Sequence, residues 1–224
     1  MSPPRSQPCQ RFGKDAEVAQ ILDISPLISS RIAVWPGDVG FERSVAMDMK
    51  TGDNLTLSAI TTTVHVGAHT DAPNHYVTDG QAMSERSLEP YYGPCQVMRV
   101  STKRGERILP SDLEGPVTAP RVLFVTDSFP NPDVFNEDFC SLSADLVEFL
   151  AKAGVILVGI DTPSVDLFSD KELESHNAIA RRDMAILEGV VLADVPSGTY
   201  TLIALPLRLE GADASPVRAV LVTD

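Results

Sequence analysis

Short apolar, β-branched stretches separated by turn-forming residues run along most of the chain. "ILDISPLI" (Ile21–Ile28) reads as a strand halted at its proline. "NLTLSAITTTVHVG" (Asn54–Gly67) is rich in β-branched residues and predicts a strand that leads into His65. "GPCQVMRVS" (Gly93–Ser101), "RVLFVTD" (Arg121–Asp127) and "VILVGID" (Val155–Asp161) read the same way. The second of these is almost wholly apolar up to Asp127, as a strand buried on both faces should be. "VVLADV" (Val190–Val195), "YTLIALPLRL" (Tyr200–Leu209) and "VRAVLV" (Val217–Val222) supply the C-terminal strands.

The period changes to that of a helix in "SLSADLVEFLAKAG". Leu146, Phe149, Leu150 and Ala153 repeat at helical spacing, Ser143 is placed to cap the start, and Gly154 closes the end. "SHNAIARRDM" (Ser175–Met184) predicts a second, shorter helix. "VWPGD" (Val34–Asp38) and "TPSVD" (Thr162–Asp166) carry turn chemistry, and Asp38, Asp161 and Asp166 read as turn-formers. No repeat and no linker divides the chain, so the pattern predicts one α/β or α+β domain over residues 21–224. Residues 1–20 are polar and proline-containing, and read as a flexible N-terminal extension.

Charge and cysteine usage narrow the function classes. The formal net charge is −13 with no basic stripe, which argues against nucleic acid or an anionic membrane as partner. No apolar run approaches the ~18 residues of a membrane span. Cys9, Cys95 and Cys140 are far apart and form no C-x-x-C pair, so a reducing, cytoplasmic setting is expected. The opening stretch also lacks the apolar core of a secretory leader.

The chemistry is concentrated in "HVGAHTDAPNH" (His65–His75), which holds three of the four histidines. In an extended chain His65, Gly67, His69 and Asp71 share one face. Gly67 would leave room between two imidazoles, Pro73 would end the strand, and His75 would swing back over the site. Two imidazoles and a carboxylate suit zinc, manganese or iron(II). Three protein ligands leave an open position, which is the arrangement of a catalytic rather than a structural site. A metal so held lowers the pKa of water to about 7 and makes hydroxide available. A nearby histidine that does not bind the metal can move protons.

"HVGAHTDAPNHY" resembles the H-x-G-x-H-x-D-x-P-x-H signature of the cyclase-like metal-dependent hydrolases. The likeness runs from Ile21 to about Val222 and includes "DISPLI", "VWPGD", "VGIDTPSVD" and "LIALPLRLEGADASPVRAVL". The softer flanking segments look most like the bacterial arylformamidase branch of that family. The resemblance implies a β-rich α/β domain with a mixed-sheet, barrel-like core, a few flanking helices and a homodimeric assembly. It implies two zinc ions per subunit, with manganese or iron as alternatives. His65, His69 and Asp71 would hold the first ion, and Asp71 would bridge to a second held by His176 and Glu188. His75 would be the proton-transfer histidine, and Trp35 would line the pocket for a small aromatic formamide. The implied reaction is hydrolysis of N-formyl-L-kynurenine to L-kynurenine and formate by a metal-activated hydroxide. A sister hydrolase opening a cyclic amide such as isatin, and a metal-binding protein without turnover, are the competing readings.

Spacing sets one condition on that ligand set. In a single straight helix His176 and Glu188 would be separated by about 18 Å of rise, so the chain must bend between them. Taken alone, His176 reads as a surface histidine at a helix start, Glu188-Gly189 as a turn, and Trp35 as a partly buried loop aromatic.

Overall fold

The computed structural model describes residues 19–223. The expected extension therefore lies outside the described residues up to residue 18, as does Cys9. In chain order the strands begin with β1 (Ile21–Asp23), β2 (Glu42–Met47), β3 (Leu57–Thr61) and β4 (His69–Asp71). There follow β5 (Tyr92–Arg99), β6 (Arg107–Ile108), β7 (Arg121–Val125), β8 (Ser141–Leu142) and helix α1 (Ala144–Lys152). The chain continues through β9 (Leu157–Ile160), helix α2 (Glu174–Arg181) and β10 (Ala185–Leu187). It ends with β11 (Gly198–Ile203), β12 (Ala214–Pro216) and β13 (Val220–Val222).

Seven strands form one curled sheet in the order β1-β13-β11-β5-β7-β9-β10. β1, β13, β11 and β5 run antiparallel to their neighbours, whereas β5, β7, β9 and β10 run parallel. The expected mixed, β-rich α/β fold is what forms. The parallel strands explain the unbroken apolar runs: all five residues of β7 and all four of β9 are buried. Alternate residues feed two cores. Leu123, Leu157 and Leu187 pack with Tyr91, Leu202 and Leu221 on one side, while Val122, Phe124, Val158 and Ile186 meet the helices on the other. Burying a side chain of this size is worth about 1.5–3 kcal/mol.

Helix α1 forms where its pattern predicts, but Phe149 and Ala153, two of the four periodic positions, are exposed. The Ser143 hydroxyl accepts from Leu146 N–H at 3.1 Å, and Leu146, Val147 and Leu150 go into the core. Gly154, at φ +87°, leaves the helix in the left-handed region that favours glycine. Helix α2 starts differently. Leu173 precedes it at φ +52° and offers no capping side chain. Asp166 and Asp170 in the preceding loop do this work: Asp166 accepts from Ser175 N–H and His176 N–H at 2.9 and 3.0 Å, and Asp170 from Glu174 N–H at 3.1 Å.

Several elements are shorter than predicted. The first strand stops at Asp23, because Ser25 N–H turns onto the Asp23 carboxylate at 3.2 Å and Pro26 follows. The strand expected through Gly67 ends at Thr61, and Val190–Val195 forms no strand. β11 stops at Ile203, short of Pro206, and α2 stops at Arg181. β2, the partner of β3, is not predicted; nearly every residue of the β2–β3 ribbon is exposed, so β2 lacks the half-buried alternation that marks a packed strand.

Candidate metal centre

Three strand ends and one helix start meet at the site. Asp127, Asp161 and Glu188 follow the C-terminal ends of the parallel strands β7, β9 and β10, where open α/β sheets bind ligands. β4 lies beside β10, and His69 and Glu188 form an antiparallel bridge across the gap. Helix α2 brings His176 in its first turn. The bend demanded between His176 and Glu188 is present, since α2 ends and β10 intervenes.

His65 is not on a strand, which corrects the one-face extended reading. The chain turns through His65–Ala68, with Gly67 at φ +62°. Gly67 does more than leave room. Its carbonyl accepts from His69 Nδ1 at 2.9 Å, and only a glycine at 189 lets Gly67 come so close. A Cβ built on Gly189, itself at φ +65°, would stand 2.2 Å from Gly67 O. Pro73 turns the chain as read, into the short 3₁₀ turn Pro73–His75, and the His75 ring returns to 4.4 Å from that of His65.

Asp71 is the hub. It is buried, and its two oxygens face different partners: Oδ1 lies 3.1 Å from His65 Nδ1 and 3.5 Å from His69 Nε2, while Oδ2 lies 3.4 Å from His176 Nε2. Glu188, also buried, is 3.2 Å from His69 Nε2 through one oxygen and 3.9 Å from His176 Nε2 through the other. Asp71 Oδ1 and His176 Nε2 have no aligned hydrogen-bond partner despite their burial. Two orphaned polar atoms in a core are costly unless something fills the gap between them. Two groups have ligand atoms all within 4.8 Å of one another: His69, Asp71 and Glu188, and His65, Asp71 and His75.

The outer nitrogens of the imidazoles complete the pattern. His69 Nδ1 donates to Gly67 O, His176 Nδ1 to Asp166 Oδ2 at 2.8 Å, and His65 Nε2 to Asp213 Oδ2 at 3.0 Å. In its neutral form each ring would then direct the lone pair of its inner nitrogen at the carboxylates, where an ion could take it. Metal-binding histidines are held this way, with the second nitrogen tied to an acceptor. The residues present therefore fit a divalent cation.

Without an ion, the carboxylates claim protons for the imidazoles. Burial works against a charged ring, yet Asp71 and Asp213 outweigh it and push His65 up to about 9. Burial likewise opposes, and Asp166 and Asp71 prevail, pushing His176 up to about 10. Burial would raise the Asp71 carboxyl, but His176 and His65 hold it well below the usual range.

A cavity of about 510 Å³ opens onto the cluster. Trp35 forms part of its wall, 36% exposed, with ring centroids 5.5 Å from Phe135 and 5.1 Å from Phe168. All seven residues singled out from the sequence thus gather here: His65, His69, Asp71, His75, His176, Glu188 and Trp35 all line this one cavity.

Sequence reasoning missed the supports. Asp166 was read as a turn-former, yet it joins His176 to Arg107, whose guanidinium is 2.8 Å away. Asp161 accepts from Thr126 N–H and Asp127 N–H at 2.8 and 2.9 Å, fixing the loop after β7. Asp38 forms a turn, as its sequence predicts, accepting from Val39 N–H. Asp213 was not singled out at all. Only "DASP" marked it, and its neighbours in space are far away in sequence.

Comparison with known proteins supplies the relationships. Residues 22–167 match the family model described as "Putative cyclase". The chain is 42% identical over 204 residues to the kynurenine formamidase of Bordetella petrii, covering 90% of this chain and 97% of that protein. A solved structure described as a potential metal-dependent hydrolase with cyclase activity superposes with TM-score 0.80 at 27% identity, over 92% of this chain and 99% of the other. An isatin hydrolase bound to the product analogue thioisatinate superposes with TM-score 0.77 at 20% identity, over 92% of each chain, and at that distance shows the fold alone.

Proposed function

The chain belongs to the cyclase family, and from that premise we propose that it is a metal-dependent amide hydrolase cleaving N-formyl-L-kynurenine to L-kynurenine and formate. The near full-length relationship to a kynurenine formamidase carries this reading, and the cluster supplies the chemistry it requires. We assign His65, His69 and Asp71 to one zinc ion, and Asp71, His176 and Glu188 to a second. A divalent ion held there supplies Lewis acidity toward the formyl oxygen and brings the pKa of water down to about 7.

The protein's own groups do the rest. Trp35 and Phe135 take the aryl ring against the cavity wall and orient the formyl carbon toward Asp71. Water attacks that carbon, and His75 accepts the proton released. The same proton passes to the aryl nitrogen as the carbon–nitrogen bond breaks, leaving amine and formic acid, which loses its proton to water as formate. Such transfer contributes about 10²–10⁴-fold. The lining residues Ile32, Val34, Phe129 and Leu192 limit competing water around the reacting amide.

The reading also keeps the homodimer and the cytoplasmic setting expected from the sequence; Cys95 and Cys140 are free and buried, in keeping with a reducing compartment. No helix among the described residues is long and apolar enough to cross a membrane.

The deciding experiment is kynurenine release from N-formyl-L-kynurenine by chelator-stripped protein, with and without added zinc. Zinc-dependent release is expected. Tight zinc binding without release would remove this substrate, and turnover of isatin in its place would identify a cyclic-amide hydrolase.

A further inference from the structure

Asp213 sits just before β12, and the pairing of β12 with β4 brings it beside the cluster. Its carbonyl accepts from Ala72 N–H at 2.8 Å, which fixes its backbone against the end of β4. Its Oδ2 lies 3.0 Å from His65 Nε2 and 3.4 Å from His75 Nδ1. One carboxylate oxygen is therefore shared by two imidazoles. Asp213 does not belong to either group of converging ligand atoms.

The sharing has a chemical consequence. A neutral imidazole carries one N–H, and its other nitrogen is an acceptor. An acceptor at Asp213 Oδ2 selects the Nε2–H form of His65 and the Nδ1–H form of His75. His65 then presents a lone pair at Nδ1, the atom 3.1 Å from Asp71 Oδ1. His75 presents a lone pair at Nε2, the nitrogen a proton carrier needs free. An unrelated surface carboxylate would have no reason to meet both rings through the same atom.

We propose that Asp213 is a positioning residue that sets two imidazoles at once, His65 as a metal ligand through Nδ1 and His75 as a proton carrier through Nε2. The assignment rests on the metal-hydrolase reading above. Outer partners of metal-binding histidines typically govern about 10–100-fold in affinity or activity, and a shared partner carries that effect to both functions together.

The test uses the zinc-loaded protein labelled with ¹⁵N-histidine, alongside Asp213→Ala and Asp213→Asn. Imidazole ¹⁵N shifts report each tautomer, chelator competition reports zinc affinity, and kcat and KM are measured at saturating zinc. His75 should be in the Nδ1–H form in the parent. Asp213→Ala should lose that preference, bind zinc more weakly and lose about 10–100-fold in kcat with KM held. Asp213→Asn keeps an acceptor oxygen and should recover the tautomer and most of kcat. An Nε2–H form of His75 in the parent would overturn the assignment, as would an alanine variant matching the parent in tautomer and kcat. If the alanine variant fails to fold, the parent tautomer and the asparagine variant decide. If N-formyl-L-kynurenine is not the substrate, the tautomers and zinc affinity still decide.

Discussion

His69 and Glu188, from opposite halves of the chain, exchange both backbone hydrogen bonds, with N···O distances of 3.1 and 2.9 Å. Their side chains also meet, Nε2 to Oε2 at 3.2 Å. The register of this single bridge decides whether the two groups can share an ion. Gly189 secures it from the next position, since its missing Cβ is what lets Gly67 O approach. Gly189→Ala should therefore destabilise the protein by about 1–2 kcal/mol from the left-handed backbone alone, and by more from the displaced carbonyl. Urea unfolding with and without zinc would show it, with the zinc-dependent gain reduced.

His75 and Asp71 should separate under mutation. Asp71→Ala should lose bound metal and activity together. His75→Ala should keep its metal and lose about 10²–10⁴-fold in kcat. The convergence of His75 with His65 and Asp71 makes this a sharp test. Metal analysis of His75→Ala that found the site emptied would make His75 a ligand and leave the proton step without a carrier.

Asp166 should matter to the metal without touching it. It accepts from His176 through both ring and backbone N–H and is itself held by Arg107. Asp166→Ala should weaken zinc binding by about 10–100-fold, read by chelator competition. Because Asp166 also serves the start of α2, helix content should be followed by circular dichroism in the same samples.

Zinc loading should release protons, and the sign follows from the imidazoles. Burial opposes charging of both rings, yet the facing carboxylates push His65 up to about 9 and His176 up to about 10, above the ordinary histidine value of 6.5. Their charged forms therefore stabilise the metal-free fold fully below about pH 6.5, and that contribution is lost as pH rises through 9 to 10. Zinc needs the neutral rings. Thermal unfolding of the stripped protein should weaken across this window while the increment from added zinc grows. An increment that shrank with rising pH would contradict the assignment of these rings as ligands.

Trp35→Ala should raise KM and leave bound zinc unchanged, because the indole borders the cavity and contacts Phe135 and Phe168 rather than the cluster. Steady-state kinetics and metal content on one preparation would check both halves.

His65, His69, Asp71 and His75 stood out as candidates because their residue types are rare and closely spaced, whereas His176 and Glu188 were reached only through the family resemblance; a turn at Pro73 followed from elementary backbone chemistry. Apolar runs located β7, β9 and α1 for the same reason: burial on two faces or at helical spacing leaves a local imprint. The supports left none. Asp166 and Asp213 resemble ordinary turn residues until folding brings them to His176 and His65. The conformation of His65–Ala68 differs from the extended reading because Gly67 takes a positive φ open to glycine, and its carbonyl packs against Gly189, a contact between residues far apart in sequence. Val190–Val195 resembles a strand by composition, but it forms a loop whose Val190–Ala193 line the cavity and whose Val190, Leu192 and Val195 enter the core.

The contact between Gly67 and Gly189 makes two distant stretches of the chain depend on each other's backbone. Neither glycine has a side chain to offer to chemistry, yet a methyl group at 189 would swing the carbonyl that orients His69. Drift at either position is thus visible to selection through the metal. A transplant of the histidine segment into another scaffold would need the Glu188-Gly189 pair as its backing, or the imidazoles would arrive facing the wrong way.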